Sequence, residues 1–306
     1  MNVLVAGGTG FIGTNLCNEL ADRGHEVTAL SRTPDGGEFS PGVDTAVGDV
    51  TAYDSIAETV AGHDVVVNLV SLSPLFQPRG GATHEEVHLG GTQNLVRAAE
   101  AGGVGRLLQM SGLDADPDAP TDFLRSKGRA EAVVRDADLE WTIFRPSVVF
   151  GEGDEFVGFT KLLTTPYLTG LPGGGKTRFQ PIWVGDLAPM LADAVDDDRH
   201  VGRTYELGGP EVLTLADVTK LAYAAEGKSV TILPVPMALA SLGLAVAGPV
   251  PFVPFGPDQA RSLSVDNTVT ENDVSEFGRS EADLRTLASY LGLEPAPTGE
   301  PTEAPA

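Results

Sequence analysis

The chain has 306 residues, 43 of them acidic and 20 basic, which gives a formal net charge of −23. That length allows a large apolar core without staples, and a single cysteine permits no internal disulfide. A surface this acidic repels phosphate backbones and excludes nucleic acid as a partner, while five scattered histidines supply no ligand set for zinc. Uncompensated carboxylates repel one another unless salt screens them, so a high-salt cytoplasm is expected. The apolar strand pattern starts directly at Val3, and the expected location is cytoplasmic.

In chain order, β-branched and apolar runs at 3–6, 26–30, 44–47, 65–69, 106–110 and 141–144 predict strands. Between them, apolar residues recur three and four apart at 13–22, 85–101 and 122–134, which predicts helices. Cys17, between Leu16 and Leu20, reads as a small packed hydrophobe rather than a redox thiol. Alternation of this kind predicts an α/β fold, a doubly wound parallel sheet. After Phe150 the alternation stops and Gly/Pro-rich loops appear, so a smaller C-terminal α/β lobe is expected. Strand-like stretches at 179–184 and 204–207 are candidates to return to the main sheet, and 213–225 reads as a helix of the smaller lobe. The expected division is 1–145 with 179–208 as a dinucleotide-binding domain and 146–178 with 209–293 as the smaller lobe. Residues 294–306, almost entirely Pro, Thr, Glu and Ala, are expected to form a disordered tail.

The segment 229–257 contains no charged residue. Its prolines leave only 237–248 free to be helical, about 18 Å at about 1.5 Å per residue, too short for a hydrocarbon core of about 30 Å. It is read as core of the smaller lobe, the wall of a lipophilic pocket, or a segment resting on a membrane or respiratory-complex surface.

GGTGFIG at 7–13 follows the first strand and opens a helix. Glycines there permit a tight turn and close approach of a pyrophosphate, whose charge the free N–H groups of the helix start would meet. Gly7, Thr9, Gly10, Phe11, Ile12 and Gly13 are therefore the expected dinucleotide contacts. At the end of the second strand stand Ser31 and Arg32, where an NAD-selective site would place a carboxylate. A guanidinium there suits a 2′-phosphate, so NADP(H) is favoured and NAD(H) is the alternative. Asp49 and Val50 follow the third strand. The Asp49 carboxylate either accepts from an adenine amino group or caps the helix that starts near Tyr53.

These pieces, with GTQN at 91–94, FLRSKGRAE at 123–131, FRPSVVFG at 144–151, RFQPIWVGDLA at 178–188 and YELGGPEVLT at 205–214, resemble an atypical or extended short-chain dehydrogenase/reductase. The resemblance runs over about 1–293. It is strongest to the subgroup holding the nucleotide-binding accessory subunit of respiratory complex I and its prokaryotic relatives. It implies a Rossmann sheet, and a reaction that uses a Tyr-x-x-x-Lys pair with a Ser or Thr after the fifth strand. Lys127 takes the lysine position, where the resemblance implies contact with the nicotinamide ribose, but the tyrosine position is Phe123, which has no proton to give. The hydroxyl residue is Ser111 or is lost at Gly112, depending on a one-residue register. His88 stands where many relatives carry asparagine, and reads either as a substitute acid or as a bonded core histidine. Lys127, Ser111 and His88 are the candidate catalytic residues. Arg145 either turns toward the nicotinamide or forms a structural ion pair, and Asp186 reads as a helix N-cap.

Three functions follow. An NADP(H)-binding accessory protein with incomplete proton-transfer machinery is the leading one. A reductase or epimerase acting on a small or lipophilic, quinone-like substrate is the alternative, and a redox-sensing regulator is the third.

Overall fold

The computed structural model describes residues 1–34, 37–78, 80–236, 258, 261 and 265–293. Seven strands form one parallel sheet: β1 (Asn2–Ala6), β2 (Glu26–Ser31), β3 (Val43–Val47), β4 (Val65–Asn68), β5 (Arg106–Met110), β6 (Glu140–Pro146) and β11 (Arg203–Leu207). Their order is β11-β6-β5-β4-β1-β2-β3. The central strands are buried end to end, as parallel strands covered on both faces must be.

Alternate residues of β1 explain the two cores. Val3 and Val5 pack with Leu16, Cys17 and Leu20 of α1 (Phe11–Asp22) and with Leu187 and Leu191 of α6 (Val184–Asp196). Leu4 and Ala6 pack with Ile56 and Val60 of α2 (Tyr53–Val60), Leu95 of α3 (Gly91–Gly102) and Val134 of α4 (Asp122–Arg135). Burial pushes the Cys17 thiol up to about 12, so it behaves as an inert hydrophobe. Because the strand order reverses between β1 and β4, their carboxyl ends open a crevice where such sheets take ligands.

Several expectations need correction. The run at 179–184 does not join the main sheet, whereas β11 does. Pro181, which has no N–H to donate, divides the run into β9 (Arg178–Phe179) and β10 (Ile182–Trp183). β9 pairs with β12 (Leu213–Thr214) and β10 with β7 (Val149–Phe150). The helix expected from 213 starts later, as α7 (Leu215–Ala224), because Thr214 and Asp217 form a capping box. Asp186 is not an N-cap: Trp183 holds that position, and the Asp186 carboxylate accepts the Arg285 N–H at 2.8 Å. The helix expected over 85–101 opens with a π-helical turn, Glu85–Gly90, before α3.

Phe150, Phe156, Phe179, Leu215 and Val218 form a third core, so Phe179, expected with the dinucleotide-binding domain, packs with residues expected in the other lobe, while Val274, Phe277 and Leu284, expected in that lobe, pack in the core with Val3 and Val5. There α5 (Phe156–Leu163) packs with α7, and β8 (Tyr167–Pro172) pairs with β13 (Val230–Val235). The start of the uncharged segment is thus strand; 237–257 and the expected tail at 294–306 lie outside the described residues. Among the described residues no helix is long and apolar enough to cross a membrane.

Candidate functional site: a dinucleotide cleft with a closed proton-transfer end

The glycine turn is fixed by close contacts. Gly7 has φ +82°, a left-handed conformation that side chains resist. A Cβ on Gly13 would lie 2.2 Å from the Gly7 carbonyl oxygen, so α1 can approach the turn only with glycine there. Gly8 is equally constrained, since its Cβ would fall 2.7 Å from Ala29 Cα. The α1 N-terminus carries no side-chain cap and no acidic residue in its first turn, which keeps it electropositive.

The crevice beside this turn has a volume of about 460 Å³. Gly7, Thr9, Gly10, Ser31, Arg32, Asp49 and Val50 all line it, together with Leu69–Leu72 after β4 and Gly80–Ala82 opposite. Phe11, Ile12 and Gly13 do not line it; they form the first turn of α1 behind the glycines. Arg32 is exposed, and among the described residues it forms no ion pair and the buried Ser31 hydroxyl has no hydrogen-bond partner. A phosphate at this rim would meet both groups.

Asp49 is not the N-cap of α2, which is Ala52. Its Oδ1 instead accepts the Thr51 N–H at 3.0 Å and the Thr51 hydroxyl at 2.7 Å. Burial works to raise this carboxyl, but those bonds and the Arg32 charge outweigh it and hold it below the usual aspartate range. Asn94, from GTQN, holds the neighbouring Val50 carbonyl at 2.8 Å. The turn, the strand ends and the uncapped helix therefore fit a dinucleotide.

The second group of expected residues lies behind the Leu69–Leu72 wall rather than in the crevice. Thr121 caps α4 and sets Phe123 and Lys127 on its inner side, with Lys127 Nζ 5.9 Å from the Phe123 ring centroid. Lys127 is neither a surface lysine nor a crevice residue: it is 1% exposed, and Nζ donates to the Met110 carbonyl at the end of β5, 3.0 Å away. Burial pushes its pKa down to about 8, with Glu131 one turn on acting in the opposite sense. Glu131 is itself held by Arg145 at 2.8 and 2.7 Å and by Arg135 at 2.8 Å, so Arg145 forms the structural ion pair and does not turn to the nicotinamide side.

His88 is hydrogen-bonded at both ring nitrogens. The Leu72 N–H donates to Nε2 at 2.9 Å, so Nε2 must be an acceptor and Nδ1 carries the proton. Nδ1 lies 2.9 Å from Ser126 Oγ, which donates in turn to the Phe123 carbonyl at 2.9 Å. A second ring proton would face the Leu72 N–H. Burial, then the Lys127 charge and His84, depress its pKa well below the histidine range. His88 is a bonded core histidine that ties the crevice wall to α4. Ser111 is the hydroxyl residue at the end of β5; its N–H donates to the Phe144 carbonyl at 2.7 Å, and its Oγ is buried with no partner among the described residues.

With this geometry in hand, comparison with known proteins is informative. The sequence model of the NAD(P)H-binding family matches residues 7–162. The chain belongs to that family. It is 33% identical over 289 residues to the mitochondrial NADH dehydrogenase [ubiquinone] 1 alpha subcomplex subunit 9 of Arabidopsis thaliana, covering 88% of this chain and 71% of that one. It is 34% identical over 181 residues to a 3-beta-hydroxysteroid dehydrogenase of Mycolicibacterium neoaurum, covering 50% of this chain and 49% of that enzyme. In structure it is similar to a nucleoside-diphosphate-sugar epimerase from Staphylococcus aureus, with a TM-score of 0.69 at 20% identity, covering 95% of this chain and 99% of the other. The Rossmann fold and the expected kinship with complex I accessory subunits both stand.

Two residues of this NAD(P)H-binding protein escaped sequence reasoning. Gly8 needed only the observation that it sits between two glycines already singled out. His84 precedes the π-helical turn, and its ring lies 5.1 Å from that of His88 and 5.7 Å from that of Phe123, centroid to centroid. An i, i+4 histidine pair was visible in the sequence, but only one member fell on a family motif.

Proposed function

We propose that this is an NADP(H)-binding protein that holds its cofactor without ordinary carbonyl reduction, and that it serves as an accessory element of a respiratory complex. Phe123 carries the reading. At the position where the family's reaction needs a phenol, a phenyl ring packs against His84 and His88, and the nearest candidate replacement, His88, is locked neutral. Exposed Arg32 and the unpartnered Ser31 hydroxyl support the 2′-phosphate form of the cofactor. The relative in the NADH dehydrogenase supports the respiratory partner. Apolar side chains stand exposed on the smaller lobe, Leu162, Tyr167, Leu168 and Leu233, the last of them close in sequence to the uncharged 237–257. We assign contact with the complex, at the membrane periphery, to this side of the 146–178 and 209–293 lobe.

Purified protein in molar potassium chloride is expected to bind NADPH and leave it unoxidised with a panel of carbonyl and quinone compounds; steady consumption would favour the reductase reading. Salt is part of the proposal. Screening of the −23 net charge, as the Debye length falls from about 10 Å at 0.1 M to about 3 Å at 1 M, should raise the melting temperature, and a flat profile would remove the high-salt reading.

A further inference from the structure

Charge is unevenly spread along this acidic chain. Four of its five lysines lie between 161 and 228, and the stretches 156–178 and 227–257 hold four basic residues and no acidic one. The fold brings these two stretches together. β8 and β13 pair in parallel with Leu168 opposite Thr231 and Gly170 opposite Leu233; those four residues are exposed, whereas Leu171 and Ile232 of the alternate rows turn into the third core. Parallel pairs are ordinarily covered on both faces, and among the described residues the outer face of this one is bare. Leu162, at the end of α5, is 62% exposed, and Tyr167, which opens β8, is 65% exposed at φ +71°, a left-handed conformation that costs a bulky residue energy. Its N–H donates to the Ser229 carbonyl at 2.8 Å, which holds it there. Lys161 and Lys228 share the Glu226 carboxylate at 2.6 and 2.8 Å and so keep one positive charge between them. Lys176, in the turn after β8, is exposed and forms no ion pair among the described residues, while Arg178 is matched by Asp266 and Lys220 by Asp217.

We propose that the end of α5 and the outer face of the β8–β13 pair dock directly on an anionic lipid bilayer. The proposal rests on the peripheral contact assigned above and names its partner. Leucines and a tyrosine flanked by lysines suit a membrane interface, because the apolar groups enter the headgroup boundary, the phenol stays at its level and the ammonium groups meet lipid phosphates. Charge sets the orientation. The chain as a whole carries −23, so most of its surface is repelled by such a bilayer, and a face built from acid-free stretches is the one that can approach. The segment that follows β13 adds no charge to oppose the contact, since 237–257 contains neither acidic nor basic residues. In molar salt, with a Debye length of about 3 Å, only charges at the surface itself are felt. The leucines then supply the hold, and the lysines select the anionic headgroup.

The test floats the whole chain, in molar potassium chloride, with vesicles of phosphatidylcholine alone and of equal parts phosphatidylcholine and phosphatidylglycerol. About fivefold more protein is expected to float with the anionic vesicles. Leu168→Asp combined with Leu233→Asp should abolish flotation, and Lys176→Glu should lower it, with NADPH affinity in both variants within about threefold of wild type as the check that they fold. A gain of signal completes the test. Tryptophan emission should move to the blue on adding anionic vesicles to Leu168→Trp and not to Val47→Trp, whose site is 64% exposed on β3 at the far edge of the main sheet. Absent flotation, equal flotation with both vesicles, flotation that survives the double substitution, or equal emission shifts at the two sites would overturn the proposal. Association with a purified respiratory complex in detergent, without any binding to vesicles, would overturn the lipid partner and leave the respiratory reading standing.

Discussion

At the carboxyl ends of β1, β2 and β3 the polar groups stand open: the uncapped start of α1, the Arg32 guanidinium and the Asp49 carboxylate face a crevice. At the ends of β4 and β5 the polar groups are covered: Lys127 is on the Met110 carbonyl, His88 is bonded at both nitrogens, and Ser111 and His84 are enclosed. The two regions share a sheet and a family ancestry, yet only the first is arranged to meet a charged ligand. Binding depends on backbone geometry and exposed charge, which this chain keeps. Proton transfer depends on a group that can change its protonation beside the reacting atoms, and we propose that neither Phe123 nor His88 supplies one.

The largest expected effect breaks the open region. Gly13→Ala forces a methyl group to 2.2 Å from the Gly7 oxygen, a contact that neither backbone can relieve cheaply. A loss of about 4 kcal/mol or more is expected, seen as a fall in melting temperature of roughly 10 °C and abolished NADPH binding. An unchanged melting curve would mean that α1 is not held by this contact.

The next prediction sharpens the closed region. Lys127 is lowered from 10.5 to about 8 in the folded protein, so between those values the unfolded chain binds the extra proton and stability should rise with pH. The full rise is on the order of 3 kcal/mol, absent below pH 8 and complete above the unfolded value. Lys127→Met removes the titrating group, and denaturant titrations from pH 7.5 to 10.5 should lose this component of the slope. Parallel profiles for wild type and variant would show that the ammonium is better solvated than its 1% exposure implies.

A smaller effect separates the cofactors. Arg32→Asp is expected to weaken NADPH at least tenfold, about 1.5 to 3 kcal/mol, and to leave NADH little changed when both are titrated at one salt concentration. Equal losses would remove the case for the 2′-phosphate.

The open region was legible in the sequence because its signals are contiguous. GGTGFIG places a strand end, a turn and a helix start within seven residues, and Arg32 and Asp49 follow at strand ends. The closed region was legible only as a motif. Phe123 and Lys127 could be placed by spacing, but whether Lys127 faces the ribose or a strand carbonyl depends on packing against β5, which no local pattern encodes. Thr214 and Asp217 are of capping-box residue types, yet the two-residue strand that Thr214 closes was not legible. For Asp186 the residue type suggested a cap, and a backbone N–H almost a hundred positions away took its carboxylate instead.

The most direct test of retained binding without proton transfer is the rate of NADPH oxidation by wild type and Phe123→Tyr, with NADPH affinity measured alongside. The substitution adds one hydroxyl to a ring that already stands beside Lys127, Gly112 and His84. We predict negligible wild-type turnover of carbonyl compounds, a gain of about a hundredfold or more over any residual rate on restoring the phenol, and NADPH affinity unchanged within a few-fold. Wild-type turnover already at about 1 to 1,000 per second, and unimproved by tyrosine, would contradict the account.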